Sequence, residues 1–460
     1  RTSFVPLKMT LLLIFALLCA TSTNALLANE KKVVDNTNLN GVRALAISPD
    51  GKNVYGVSFD SNSIVHWDRD STGTLTNKVS KIDSLTLHGP TGVAISSDGK
   101  NVYAVAHGAA ADGSYIVHWD RDSSTGALTN QVNLEDATNF AGPQSVTVSP
   151  DRKNVYVVSS LGHMVHWVRN PNTGALTSQV NAARDTTNLD SAFSVIVSPD
   201  NKNVYAVADA SKSIVHWDRD LSTGALTNKV TTIKDYLDGA EDVTISPDGR
   251  NVYAASWNYD GIIWWKRNFI TGALTSAREI TDDTRLLGIH GVTVSPDGKK
   301  VYAVSTAYNR IVSWDRNQRS GGLSNEKISS KYAELTSTAQ DCGYDVIVSP
   351  DNKNVYVAAE SSNAIVYFTE CSTGTFVQSS TEMCSVCQNG GDNYTCPADE
   401  IKTGTQCEGT YSDSQTCTPS PSEEASPSPS SNEGWANDST ITSINTVFAF
   451  LVTITICFLA

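Results

Sequence analysis

Residues 195–230 read VIVSPDNKNVYAVADASKSIVHWDRDLSTGALTNKV, and similar units recur along the 460-residue chain. Each unit contains four short runs of β-branched and aromatic residues, bounded by turn signals such as Ser-Pro-Asp and Thr-Gly. The central tyrosine marks seven copies, at Tyr55, Tyr103, Tyr156, Tyr205, Tyr253, Tyr302 and Tyr356. One four-stranded sheet cannot cover both of its apolar faces, whereas seven arranged radially bury each other's. The sequence therefore predicts an all-β fold, with a seven-bladed β-propeller over residues 26–380.

The two ends of this region compete to complete the last blade. Residues 29–31 and Val33-Val34 resemble the outer-strand segment at residues 325–328, so we expect the N-terminal stretch to supply the missing outer strand. Residues 375–378, Thr-Phe-Val-Gln, are the alternative. A closed ring follows from either choice.

Other side chains recur at fixed positions and have a structural interpretation. An aromatic residue ends each third strand, where it is expected to pack between blades: Trp67, Trp119, Trp167, Trp217, Trp265, Trp314 and Phe368. The preceding histidine in four copies belongs to four different blades, so these rings cannot converge on one metal ion. The Asp-Arg-Asp runs at residues 68–70, 120–122 and 218–220 are interpreted as turn and edge charges that prevent pairing between molecules.

The repeat resembles a known family of propellers. SPDGKNVY at residues 48–55, followed by a Val- or Ile-rich strand and TGALT, is similar to the repeat of the lactonase-type seven-bladed propellers, the 6-phosphogluconolactonase-like and YVTN-repeat group. The resemblance covers residues 30–380 and implies the same fold. The Trp-Asp pairs also resemble WD40 repeats, but the period exceeds about 40–45 residues and the Gly-His element is missing.

A candidate site emerges where the copies differ from one another. Immediately before the first strand, the aligned residues are Arg43, Thr91, Gln144, Phe193, Glu241, His290 and Tyr344. The next position holds Ala44, Gly92, Ser145, Ser194, Asp242, Gly291 and Asp345. The first strand should be innermost, so both sets are expected around one mouth of the central channel, where propellers bind ligands.

The resemblance to lactonases implies a possible chemistry for this ring. Opening a lactone needs a base that activates water, for which His290 and Glu241 are candidates, and a donor that stabilises the oxyanion, for which Arg43 is the candidate. A phosphorylated substrate would need several cations, yet the ring offers Arg43 against Glu241, Asp242 and Asp345. A solvated mouth, ligand binding without chemistry and catalysis all remain open.

A cysteine-rich module is predicted over residues 381–417, after the propeller. Six cysteines of this region suggest up to three disulfides: Cys371, Cys384, Cys387, Cys396, Cys407 and Cys417. The segment resembles thrombospondin type 1 repeats but lacks their Trp ladder and Arg strand. Zinc binding at Cys384 and Cys387 is the alternative, and Cys342 is expected to be a buried free thiol. Asn393 begins a glycosylation sequon.

Both ends of the chain have the features of processing signals. The apolar run at residues 11–20, followed by Thr23 and Ala25, predicts a secretory signal over residues 1–25, with a buried N-terminal helix as the alternative. Residues 418–437 form a Ser/Pro stalk. Residues 438–460 resemble the tail of a glycolipid (GPI) anchor signal, with attachment expected at Asn437 and Gly434 as the second choice. A retained membrane helix is the alternative.

Charge and location together suggest the class of partner. Lys and Arg total 34 against 48 Asp and Glu, a formal charge of −14 that disfavours nucleic acid. We expect a cell-surface protein, joined to the membrane only through its anchor, that recognises or adheres to an extracellular glycan, protein, cation or matrix component. An extracellular lactonase-type hydrolase is the alternative. No resident cofactor or metal is predicted, although Ca²⁺ bridging a glycan would suit the acidic ring.

Overall fold

Seven four-stranded antiparallel sheets, one for each sequence repeat, form the propeller in the computed structural model. The structure describes residues 27–108, 113–136, 141–182, 184–307, 310–328 and 343–370, together with six short strands between residues 375 and 418. The prediction of an all-β, seven-bladed propeller is confirmed. Among the described residues the single helix is the 3₁₀ turn Asp235–Leu237, and no helix is long and apolar enough to cross a membrane.

In blades 1 to 6 the four strands follow one another in space as they do in the chain. The first, inner strands of blades 1 to 7 are Val42–Ile47, Pro90–Ile95, Pro143–Val148, Ala192–Val197, Ala240–Ile245, Ile289–Val294 and Gly343–Val348. The second strands are Asn53–Ser58, Asn101–Ala106, Asn154–Ser159, Asn203–Ala208, Asn251–Ser256, Lys300–Ser305 and Asn354–Ala359.

The third and fourth strands carry each blade outward. The third strands are Ser63–Arg69, Tyr115–Arg121, Met164–Arg169, Ser213–Arg219, Gly261–Arg267, Arg310–Arg316 and Ala364–Glu370. The outer strands of blades 1 to 6 are Leu75–Ile82, Leu128–Glu135, Leu176–Ala182, Leu226–Ile233, Leu274–Thr281 and Leu323–Ile328.

The N-terminal stretch closes the ring. Leu27–Val34 is the outer strand of blade 7, and it pairs antiparallel with the third strand of that blade, Lys32 opposite Val366 and Val34 opposite Ala364. Of the two segments that the sequence leaves in competition, the first therefore takes the position. Residues Thr375–Gln378 pair instead with Met383–Val386.

The C-terminal region is described only in part. Besides that hairpin, Gln388–Asn389, Tyr394–Thr395, Thr410–Tyr411 and Thr416–Thr418 form a small antiparallel sheet. The disulfides predicted here remain predictions, because the six cysteine side chains lie outside the described structure. The secretory signal, Cys342, Asn393, the stalk and the anchor site at Asn437 also fall outside the described residues.

The hydrophobic core lies between neighbouring sheets rather than inside one of them. Trp67 of blade 1, for example, packs in one cluster with Leu45 of its own blade and with Tyr356 and Ile365 of blade 7. The recurring third-strand aromatic residue is buried in every blade, as expected. The recurring histidine stacks on the tyrosine opposite it in the same blade, as His216 does on Tyr205 with ring centroids 5.6 Å apart.

The arginine of the Asp-Arg-Asp runs has a different role from the one predicted. The Arg219 side chain is fully buried, donates from Nε to the Tyr156 hydroxyl of the preceding blade at 2.8 Å, and pairs with Asp151 at 3.0 Å. Tyr156 in turn donates to the carbonyl of Gly224 at 2.7 Å. The prediction of an edge charge was wrong for this residue, because the strand end points it into the neighbouring sheet.

This contact, which we term the Arg–Tyr clasp, joins six of the seven blade junctions in the described structure. The pairs are Arg69–Tyr356, Arg121–Tyr55, Arg169–Tyr103, Arg219–Tyr156, Arg267–Tyr205 and Arg316–Tyr253. At the junction of blades 6 and 7 the arginine is replaced by Glu370, which accepts from Tyr302 at 2.8 Å. Lys300 takes the place of the usual asparagine there, with its Nζ 3.8 Å from Glu370.

Candidate functional site

A β-bulge at the start of each inner strand produces the predicted ring. In blade 1, Val42 pairs with Ser58 and Ala44 with Val57, so Arg43 is the extra residue without a ladder partner. The register shifts at the equivalent position in all seven blades. A bulge bends the strand and redirects the side chain of its extra residue. The residues that differ between repeats are therefore turned out of the regular sheet pattern.

These side chains meet in one pocket of about 140 Å³ at the mouth of the channel. It is lined by all seven residues of the first predicted position: Arg43, Thr91, Gln144, Phe193, Glu241, His290 and Tyr344. Asp242, Asp345 and four of the other five residues of the second position also line it; Gly291 does not. The structure thus brings the predicted residues together, while their role in binding remains a prediction.

His290 and Glu241, from adjacent blades, form a buried pair in this pocket. Nδ1 of His290 contacts Oε2 of Glu241, and their side chains are 13% and 9% exposed. Neither atom has a hydrogen-bond partner elsewhere among the described residues. The imidazole stacks on Tyr344 with centroids 4.7 Å apart and lies 5.7 Å from the Trp257 ring. A carboxylate on Nδ1 orients the ring and leaves Nε2 as the nitrogen that can take a proton.

Arg43 contacts an acidic side chain and two aromatic rings. Its Nε donates to Glu360 at 2.9 Å, and both side chains are about one-quarter exposed. Its guanidinium carbon lies 3.9 Å from the centroid of the Phe59 ring and 5.5 Å from that of Tyr344. Stacking of this kind stabilises the cation and fixes its plane. The Nη atoms are the donors that Glu360 leaves for a ligand.

Several of these contacting residues come from a second repeat position that the sequence analysis missed. It lies four residues after the central tyrosine, just beyond the second strand, and holds Phe59, His107, Ser160, Asp209, Trp257, Thr306 and Glu360. His107 meets Phe59 edge-on, and its Nε2 is 3.5 Å from Nε2 of Gln144. Burial lowers the pKa of His107. The same search for differing residues, applied at this position, would have found the set.

The two aspartates of the ring tie inner strands together. Asp345 of blade 7 accepts from the Leu45 amide of blade 1 at 2.7 Å, across the ring closure. Asp242 of blade 5 accepts from Val292 of blade 6 and from the Ser194 hydroxyl of blade 4, at 2.9 and 2.8 Å. Burial raises the pKa of both carboxyls, and the charge of Asp242 adds to that rise for Asp345, which reaches about 7.

Close approach of the inner strands explains the glycines of the second position. A Cβ on Gly92 would lie 3.0 Å from the carbonyl oxygen of Gln144 in the next blade, and one on Gly291 would lie 3.0 Å from that of Tyr344. These two residues are therefore spacing elements. Within the described structure no three His, Cys, Asp or Glu side chains are grouped so that they could hold a metal ion.

A protein-family model described as Lactonase, 7-bladed beta-propeller matches the chain at residues 7–190, 113–286 and 194–337. Together these overlapping matches cover residues 7–337, well over half of the chain. The chain belongs to this lactonase family. The family resemblance predicted from the repeat is thereby confirmed. A comparison with curated protein sequences gives no match.

Solved structures share the fold of this lactonase-family chain. A protein of Bacteroides fragilis provisionally named 6-phosphogluconolactonase has a TM-score of 0.54 and 17% identity, over 75% of this chain and 92% of that one. A Bacteroides uniformis protein with the same provisional name has a TM-score of 0.53 and 19% identity, over 74% and 93%. Kuenenia stuttgartiensis hydrazine synthase scores 0.53 at 16% identity, over 73% and 97%. At such identities the likeness concerns the fold alone.

Proposed function

We propose that this chain hydrolyses lactones, with water activated at the His290–Glu241 pair. The observation that carries the proposal is the contact of Glu241 with Nδ1 of His290, inside a pocket that also contains Arg43. A carboxylate–imidazole pair is a general-base arrangement, and a guanidinium is a suitable donor to an oxyanion. Membership of the lactonase family supports this function over the recognition or adhesion role that composition and location favoured first.

Each step of the reaction has a residue in the pocket that can perform it. His290 takes a proton at Nε2 from water as its oxygen bonds to the lactone carbonyl carbon, and Glu241 stabilises the imidazolium that forms. Arg43 donates to the oxyanion of the tetrahedral intermediate. The bond from the acyl carbon to the ring oxygen then breaks, and His290 returns the proton to that oxygen. The product is a hydroxy acid.

A lactone panel with two variants tests the proposal. His290→Ala should lower kcat/KM by ~10²–10⁴-fold, the usual effect of losing a general base. Glu241→Gln should lower it by at least about tenfold, because the amide no longer stabilises the imidazolium. His88→Ala, at an exposed histidine outside the pocket lining, is the matched control and should match the unmodified protein.

Two results would contradict the proposal. Absence of turnover on the whole panel would exclude it, and saturable ligand binding in that case would support recognition without chemistry. Turnover that survives in both variants would place the reaction at other groups. Melting temperatures of all three variants should stay within a few degrees of the unmodified protein, so that loss of activity is not loss of fold.

We also propose that this activity resides outside the cell on a glycolipid anchor. The proposal is supported by the sequence features of residues 1–25 and 438–460 and by the glycosylation sequon at Asn393. Treatment of intact expressing cells with a phospholipase that cleaves glycosylphosphatidylinositol should release the protein into the medium. Retention after this treatment would favour a membrane helix, and the absence of any surface-labelled protein would exclude export.

A further inference from the structure

The charges around the pocket restrict the class of lactone that can bind there. Among the described lining residues Arg43 is the only Arg or Lys, and its charge is paired with Glu360. Burial lowers the pKa of the nearby His107, so that ring adds no cation at neutral pH. Glu241 contributes a further carboxylate to the same lining. The pocket therefore has no excess of positive charge to offer an anionic substrate.

The contacts of Arg43 also disfavour an anionic substrate. A phosphate dianion is usually bound by several charge-assisted donors or by a guanidinium whose full edge is available. Here Nε is committed to Glu360 at 2.9 Å, and the guanidinium lies over Phe59. The Nη donors that remain suit a single carbonyl or oxyanion. A phosphate placed at them would also approach the carboxylate of Glu360.

Aromatic surfaces supply the remaining recognition. Tyr344 and Phe193 line the pocket, Phe59 stacks on Arg43, and Trp257 beside His290 is 43% exposed. Rings of this kind pack against the C–H face of an uncharged ring, while Gln144 offers an amide to its polar groups. An uncharged ligand also avoids the repulsion that Glu241 and Glu360 would exert on an anion.

We propose that the substrate is an uncharged lactone without a phosphate group, and that Glu360 excludes phosphorylated lactones by neutralising Arg43. This inference rests on the lactone hydrolysis proposed above and identifies the substrate class of that site. Glu360 acts here as a specificity-determining residue and takes no part in bond breaking. The effect is electrostatic, so it should weaken as ionic strength rises.

The test compares kcat/KM for glucono-δ-lactone and 6-phosphoglucono-δ-lactone in the unmodified protein and in Glu360→Gln. The unmodified protein should favour the uncharged substrate by about tenfold or more, and Glu360→Gln should raise the ratio of phosphorylated to uncharged turnover by ~10-fold. Asp209→Asn is the matched control. It removes a carboxylate from the same repeat position in blade 4, outside the pocket lining, and should leave the ratio unchanged.

The possible results distinguish a wrong substrate class from a wrong assignment of lactone hydrolysis. A preference of the unmodified protein for the phosphorylated lactone would overturn the substrate class while leaving hydrolysis at this site intact. An unchanged ratio in Glu360→Gln, or an equal rise in Asp209→Asn, would overturn the role of Glu360. Absence of turnover with either lactone and with the wider panel would remove the proposed function and this inference together.

Discussion

The two faces of the propeller follow opposite rules. On the face with the Thr-Gly turns, six junctions repeat the same buried Arg–Tyr clasp. On the face with the pocket, all seven repeats place a different residue at the bulge. Side chains that hold blades together face the same packing problem at each junction, so the same solution recurs. Side chains that bind a single ligand contact different parts of it, so they can differ from one repeat to the next.

The aspartates of the two faces also differ in the direction of their pKa shifts. The clasp aspartates, such as Asp151, sit beside an arginine; burial raises their pKa, but hydrogen bonds from serine and the arginine charge outweigh it and lower the pKa overall. Among the described residues no arginine pairs with the pocket aspartates Asp242 and Asp345, and burial is the largest influence on their pKa. The surroundings therefore lower the pKa of the clasp aspartate and raise that of the two pocket aspartates.

The largest effect on stability should come from the clasp. Arg219→Ala removes the partner of Asp151 and the donor to Tyr156, and loss of one member of a buried ion pair costs about 3–5 kcal/mol. Urea unfolding measures this change. The control Lys229→Ala, which breaks an exposed pair with Asp185, should cost under about 1 kcal/mol. If the faces are independent, kcat/KM of folded Arg219→Ala stays within about threefold of the unmodified protein.

A second effect should distinguish the faces by pH. The folded pKa of Asp345, about 7, exceeds its ordinary 3.8, so its contribution to stability is complete below pH 3.8 and is lost as pH rises through 7. Asp345→Asn does not titrate. Relative to the unmodified protein its free energy of unfolding should therefore improve by roughly 2–4 kcal/mol between pH 4 and pH 8.

The clasp aspartate provides the opposite control for that measurement. Asp151 has a lowered folded pKa, so its contribution is present above its unfolded pKa and is lost as pH falls through the folded value. Asp151→Asn should therefore lose stability relative to the unmodified protein as pH rises from about 2 to 5. Parallel pH profiles for the two variants would show that the faces do not differ in this respect.

The smallest effect concerns the exceptional junction of blades 6 and 7. Tyr205→Phe removes an uncharged acceptor from Arg267 and should cost about 1–2 kcal/mol at any pH between 5 and 8. Tyr302→Phe removes the donor to Glu370, whose pKa is raised chiefly by burial. Because a raised pKa moves ionisation of this carboxyl to higher pH, the cost of Tyr302→Phe should increase from pH 5 to pH 8. Equal costs at both pH values would mean that Glu370 does not titrate in this range.

The repeat pattern in the sequence predicts the ring of candidate residues but not the contacts within it. Repeat alignment assigned Arg43, Glu241 and His290 to one mouth, and the structure gathers them there. It could not show that Glu241 contacts His290 or that Glu360 pairs with Arg43, because both contacts join different blades. The error over Arg219 has the same origin: a charged strand end has one sequence pattern whether it faces solvent or a neighbouring sheet.

By itself, the sequence determined the number of blades, the order of strands within the first six and the position at which the repeats diverge. Those features depend on local turn chemistry and on the spacing of apolar runs. Both patterns recur in all seven repeats and can therefore be recognised in the sequence. Only the tertiary structure decided which side chains of neighbouring blades meet, and hence which charges are neutralised and which nitrogen of His290 is left for water. Such contacts depend on how one sheet packs against the next. The distance between side chains of two neighbouring blades cannot be read from their spacing along the chain.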